Sequence, residues 1–401
     1  MPEPSEVFQK SNHSTSEVLK NKDETKEDDE KALKDAIMHI TRNPTCDEAY
    51  FKAGYLLLQF GKIRASIRSF VQCLKLNSSN CQCKAYLSLP LLLMGDYDAG
   101  LHLYEWRLTV KQLLYCTPAK KLKPRESQFS KDETIALVAE QGFGDTIQFI
   151  RYGKHLAQNG VKVIACVQTQ LVGLLKHSLP GISFVAADEI NTVKYEAWLP
   201  MLSLPLRLGV NQSNVLETEP YILAEKERKD YWMKKIAADG ERLVAGICWK
   251  GNPDHEKTII RGRSMRLVDL IYVVRNSLMH KFVSLQKGED AIRELERFGH
   301  EDKFVECQRE VSNSLDFRDT AAIISCCDVV ITIDTCIAHL AGSMGVPVWI
   351  LLKKVPEWRW GLEGNQSHWY PSATLFRQQT DGDWTSIIPQ ITTNLNARKP
   401  S

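Results

Sequence analysis

The sequence predicts an α/β protein in which an all-α repeat segment precedes two successive doubly wound, parallel-sheet domains. Three observations predict it. From residue 131 onward, short β-branched apolar runs alternate with helical stretches, the pattern of parallel sheets covered on both faces. The alternation breaks once, at the charged helix Glu225–Ala238, and then restarts. Before residue 116 strand patterning gives way to a repeat: Gly61 recurs as Gly95, Leu57 as Leu91 and Phe70 as Tyr104, each 34 residues on.

Taken in order, residues 1–30 are polar and charge-dense, without apolar periodicity, and are expected to be a disordered arm. Residues 31–116 carry the helical repeats; the small position before the second helix recurs as Ala32, Ser66 and Gly100, and Pro44 closes the leading half-repeat. Two repeats are few for a free-standing solenoid, so they are expected to pack on the next domain as a cap. Residues 117–130, with two prolines, read as a linker. Residues 131–224 hold strands at Thr134–Val138, Val161–Val167, Ser183–Val185 and Ala197–Pro200. Residues 225–395 hold strands at Leu243–Trp249, Lys281–Leu285, Val329–Ile333 and Val348–Leu352.

Composition narrows the class. A chain of 401 residues is long enough for several cores, and 43% hydrophobic with 25% charged residues is ordinary for a globular protein. The formal net charge of +2 gives no concentrated basic excess, so nucleic acid is not expected as a partner. No apolar run reaches the ~20 residues of a membrane-spanning helix. The N-terminus lacks a signal-peptide layout. The eleven cysteines are scattered, without metal-site spacing, and a reducing cytoplasm is the expected location, with no metal.

Two stretches carry chemistry. Glu140-Gln141-Gly142-Phe143-Gly144-Asp145 follows a strand and opens a helix; its glycines permit close backbone approach, and Asp145 is placed either as a cap or as a proton-accepting carboxylate. Asp334-Thr335-Cys336-Ile337-Ala338-His339 also lies at a strand's carboxyl end, where helix N–H groups favour phosphate. His339, four residues after Thr335, shares its helix face and reads equally as a donor to phosphate or a core histidine.

Together these two stretches resemble the heptosyltransferases, a glycosyltransferase family 9-type group. The whole chain is similar to bacterial proteins in which tetratricopeptide repeats precede such a region, with Tyr104-Glu105-Trp106-Arg107, Trp249-Lys250-Gly251-Asn252-Pro253, Ser284-Leu285-Gln286-Lys287-Gly288 and Trp358-Arg359-Trp360 as supporting segments. The resemblance spans about residues 31–392. It implies a GT-B fold of two Rossmann-like domains, and inverting, metal-independent transfer of a sugar from a nucleotide-diphospho-sugar to a glycan or protein acceptor, with the repeats as a candidate acceptor surface. It implies Asp145 as the catalytic carboxylate, with Gln141, Gly142 and Gly144 as its loop. It places Asp334, Thr335, Cys336 and His339 on the donor. Arg263, Lys250, Asn252 and Gln286 join that set from neighbouring loops, with Arg263 preferred for phosphate because a guanidinium fork fits its oxygens. Cys336 stands where the family carries Gly or Ala, and the family's phosphate-binding Lys has no clean counterpart. Both departures keep a non-catalytic scaffold open as an alternative, and a nucleotide-sugar epimerase is a second.

Overall fold

Helices α1 (Thr15–Arg42), α2 (Asp47–Gln59), α3 (Ile63–Leu76), α4 (Cys81–Leu93) and α5 (Tyr97–Tyr104) make up the first part of the chain. The second hairpin repeats the first: α4 begins 34 residues after α2, and α5 begins 34 after α3. Residues at matching positions do matching work. Gly61 and Gly95 turn each hairpin at φ +69° and +86°, a left-handed conformation that costs glycine little. A Cβ on Gly54 would lie 2.8 Å from the Phe70 ring, and one on Gly100 2.6 Å from Leu92, so each hairpin crosses at a small residue.

The structure, a computed structural model, describes residues 15–110, 121–236, 243–253, 256, 262–278, 280–297, 303–314 and 316–398. It corrects one expectation. Residues 15–30, read as a disordered arm, form the start of α1, while residues 1–14 lie outside the described residues. Lys and Glu have good helix propensity, and once α1 is nucleated around the buried Ala36, extending it adds one hydrogen bond per residue fixed.

After α6 (Arg107–Val110), the chain enters a parallel sheet of β1 (Thr134–Val138), β2 (Lys162–Cys166), β3 (Ser183–Val185) and β4 (Ala197–Pro200), in the order β3-β2-β1-β4. Helix α7 (Phe143–Gln158) joins β1 to β2 and α8 (Thr169–Ser178) joins β2 to β3. The described end of the expected linker is not free of the sheet: Lys123 N–H donates to the Trp198 carbonyl at 2.7 Å, extending the edge beyond β4. Residues 117–120 lie outside the described residues.

Helices α9 (Leu204–Arg207) and α10 (Lys226–Ile236) lead to a second sheet of β5 (Leu243–Cys248), β6 (His280–Ser284), β7 (Val329–Ile333), β8 (Val348–Leu352) and β9 (Ala373–Arg377), all parallel, in the order β6-β5-β7-β8-β9. Its connections include α11 (Ile271–Asn276), α12 (Glu289–Glu296), α13 (Gln308–Asn313), α14 (Phe317–Ile324) and α15 (Cys336–Ser343), and α16 (Ile388–Ala397) closes the chain. The edge strand β9 adds to the four expected strands; its five residues lack the continuous β-branched run of β7.

One core cluster runs through the repeats, the first sheet and one face of the second, from Leu92 and Tyr97 through Ile147 to Leu340 and Trp369. The helical segment is therefore packed against both sheets. Arg107 and Glu140 lock it further: the guanidinium donates from Nε and Nη2 to the carboxylate at 3.0 and 2.9 Å, and Leu202 N–H completes the fully buried Glu140.

Candidate active site

The site is built where two strands stop. After β1, Gln141 adopts φ +57°, uncommon for a residue with a side chain, and donates from Nε2 to the Tyr104 hydroxyl at 2.9 Å. The repeat segment thus props the glycine loop directly. Gly142 then caps α7, and Asp145, at its third position, accepts the Gly142 N–H at 2.9 Å. After β7, Thr335 caps α15 by accepting the Ile337 N–H at 3.2 Å.

These two helix starts meet. A Cβ on Gly144 would lie 2.7 Å from Cδ2 of His339 and 3.4 Å from Cα of Cys336, so only a glycine lets α7 approach α15 this closely. The two stretches singled out in the sequence, nearly 200 residues apart, form one surface.

Asp145 holds more than a cap. Its Oδ1 accepts Nη2 of Arg359 at 2.5 Å, and Nη1 of the same guanidinium binds Glu357 at 2.5 Å. Arg359 is buried, with Phe149 and Trp358 rings 5.0 and 4.8 Å from its carbon. Neither Arg359 nor Glu357 was among the expected site residues. The segment Trp358-Arg359-Trp360 enters the sequence reading only as part of the resemblance, and nothing in residue spacing ties it to Asp145.

At the end of β7, Asp334 is partly exposed; burial pushes its carboxyl up, against the pull of Arg263. Arg263 Nη1 donates to the Asp334 carbonyl at 2.9 Å, and its guanidinium lies over Gly251, where a Cβ would come within 2.6 Å. The side chain of Thr335 faces inward, with its Oγ1 3.2 Å from the Thr332 hydroxyl. His339 is a core histidine: Nδ1 lies 3.0 Å from the Tyr370 hydroxyl and the ring stacks on Trp360 at 5.3 Å. Burial, with Arg359 and Arg151 nearby, holds its pKa well below the usual histidine value, so it meets any ligand as a neutral imidazole. Cys336 is a thiol, pushed up to about 11 by burial.

Three more expected donor residues stand on neighbouring loops, and one of them, Gln286, is linked to Thr335 through Cys248, whose thiol lies 3.4 Å from Gln286 Oε1 and 4.0 Å from Thr335 Oγ1. Lys250 Nζ turns to Glu294 at 2.5 Å, and the same carboxylate accepts the Trp249 indole at 3.1 Å. Asn252 is exposed on the loop. Gln286 fastens strand ends together: its Oε1 accepts the Lys250 N–H at 2.9 Å. Of the other basic residues in that loop, Lys257 and Arg261 lie outside the described residues. Besides Arg263, the charge of Lys287 also acts on Cys336 at the start of α15, while its Nζ donates to the Ser314 carbonyl at 2.8 Å. Burial lowers its pKa.

A cavity of about 540 Å³ opens beside the cluster, between Ile63, Leu93 and Tyr97 of the repeats and the Trp358–His368 loop, with Arg359 in its wall. A second cavity, of about 930 Å³, is elsewhere: it adjoins His155 and Asn159 at the far end of α7, about 15–20 Å of helix from Asp145. Among the described residues no group of His, Cys, Asp and Glu has a metal-binding arrangement, and no helix is long and apolar enough to cross a membrane.

No protein-family model matches the chain. Among curated proteins it is similar to protein FlbA of Caulobacter vibrioides, at 22% identity over 383 residues, covering 88% of this chain. The chain spans about 62% of the length of that relative. Among solved structures it is similar to a family 9 glycosyl transferase from Veillonella parvula, with TM-score 0.49 and 12% identity, covering 68% of this chain and 99% of the other. It is also similar to the ADP-heptose lipopolysaccharide heptosyltransferase II of E. coli, with TM-score 0.44, 12% identity and coverage of 66% and 97%. A third similarity is to an O-GlcNAc transferase of Thermobaculum terrenum, with TM-score 0.29, 13% identity and coverage of 92% and 79%.

Proposed function

We propose that this chain is an inverting, metal-independent glycosyltransferase of GT-B type that moves a sugar from a nucleotide-diphospho-sugar to an acceptor hydroxyl. The observation that carries this reading is the meeting of the two helix starts at Gly144 and His339, which sets a carboxylate from one strand end against a helix N-terminus from another. In this reading residues 131–224 and 225–395 are the acceptor and donor domains, and the two hairpins are tetratricopeptide repeats.

The diphosphate lies at the start of α15, where helix N–H groups, Arg263 and Lys287 offset its charge without a metal. The acceptor enters through the cavity beside the repeats, as a glycan or protein hydroxyl. Asp145 removes its proton, and the oxygen attacks the anomeric carbon from the face opposite the leaving diphosphate. One observation favours the non-catalytic alternative: both Asp145 oxygens are already engaged, by Gly142 and Arg359. Each oxygen retains a further lone pair, so catalysis requires the acceptor hydroxyl to reach it rather than the loss of either bond.

The test is a thermal-shift and calorimetric screen against ADP-, GDP-, UDP- and TDP-sugars, with Asp334→Ala beside the wild type. One nucleotide class should raise the melting temperature of the wild type and fail with the variant. Binding by none would favour the scaffold.

A further inference from the structure

Asp145 and Glu357 come from the connections of different sheets, one on α7 after β1 and one in the turn beyond β8, yet they share a single guanidinium. Arg359 is 6% exposed, so its two ion pairs are poorly screened. Glu357 faces its own Arg359, including that residue's N–H at 2.9 Å, Asp334 from the end of β7, and Tyr97 from α5. Asp145 lies across the guanidinium.

Two carboxylates on one buried cation leave a surplus negative charge. A proton on one of them relieves it at least cost. Burial, reinforced by Asp334 and opposed by Arg359, pushes Glu357 up to about 7.

We propose that Glu357 is the positioning residue that governs how Arg359 holds Asp145: when ionised it competes for Arg359, and when protonated it cedes the guanidinium to Asp145. Ceding Arg359 tightens its grip on the carboxylate that must take the acceptor's proton. Competing for it loosens that grip. The step so controlled is balanced within the transfer itself. The acceptor O–H proton passes to Asp145, the oxygen bonds the anomeric carbon, and the C–O bond to the diphosphate breaks with its electron pair leaving on the nucleotide. The effect on rate rests on the transferase reading; the coupling of the two carboxyls does not.

Two measurements on the full chain decide it. The first is a carbon-13 titration of the Glu357 carboxyl, assigned by its loss in Glu357→Gln. The midpoint should lie near neutrality and fall by about a unit or more in Asp145→Asn, where Arg359 has one carboxylate left to serve. An ordinary glutamate midpoint, or one unmoved by Asp145→Asn, would overturn the proposal whether or not the protein transfers sugar. The second is the initial rate, across about pH 5.5–9, with the donor found in the binding screen. The wild-type rate should rise through neutrality, Glu357→Gln should stay flat at the wild type's low-pH level, and Glu357→Asp should restore the rise. A Glu357→Gln enzyme that keeps the wild-type rise would also overturn it. If no donor is found, the transferase reading fails and the titration alone decides the coupling.

Discussion

Gly144 and His339 touch across the junction of α7 and α15, with room for a hydrogen where any other residue would place a Cβ 2.7 Å from the imidazole. Gly144→Ala should therefore destabilise the protein by about 1–3 kcal/mol, the usual cost of overpacking. Urea unfolding should show it. In a His339→Ala background the same substitution should cost much less, because the atom it strikes is gone.

Arg359 supports two carboxylates with side chains 17% and 20% exposed. Arg359→Met would leave both poorly solvated without their cation, and a loss of roughly 3 kcal/mol is expected. Arg359→Lys should retain part of this, since an ammonium keeps the charge but lacks the fork. Equilibrium denaturation of the two variants checks the order.

Two buried groups should give stability opposite pH slopes. Glu357, raised to about 7 from an ordinary 4.5, binds its proton more tightly in the folded state. Its contribution is greatest below the unfolded value and declines as pH rises from about 4.5 to 7; Glu357→Gln should remove that decline. His280 is buried with both ring nitrogens unpartnered among the described residues, and burial lowers it to about 4. Folded protein therefore binds fewer protons, and stability should fall as pH drops from about 6.5 toward 4. His280→Phe should flatten this acid limb in a thermal-melt series.

In the proposed reading Lys250 is a structural cation and Lys287 a donor-facing one. Lys287→Ala should weaken nucleotide-sugar binding about 10–100-fold, the worth of a charge-assisted hydrogen bond. Lys250→Ala, whose partner is Glu294, should leave that affinity within about 3-fold and cost at most about 1 kcal/mol of stability. Calorimetry on both variants reads the difference.

The helical segment should depend on the Arg107–Glu140 pair for its seat. Arg107→Ala strands a fully buried carboxylate and should cost about 3–5 kcal/mol. Limited proteolysis should then cut between the repeats and β1 sooner than in the wild type.

Much of this architecture was legible in the residues. Val329–Ile333 stops at Asp334, and Thr134–Val138 stops before Glu140, because apolar β-branched runs specify strands and the residues that end them specify turns. The spacing from Gly61 to Gly95 marked the repeated hairpins, since a left-handed turn demands the same residue each time. Strand β9 and the helical part of the charged segment escaped because the local signal was short or because propensity outweighed polarity.

Local chemistry thus determined the element types, the parallel sheets and the two polar strand ends, all of which depend on neighbours within a few residues. Only the tertiary structure decided which side chains share a charge. Arg359 reaches Asp145 across 214 positions of sequence, Lys250 turns to Glu294 and Lys287 to the Ser314 carbonyl. Ion pairing depends on distance and burial in three dimensions, and neither is written in the spacing of residues along a chain.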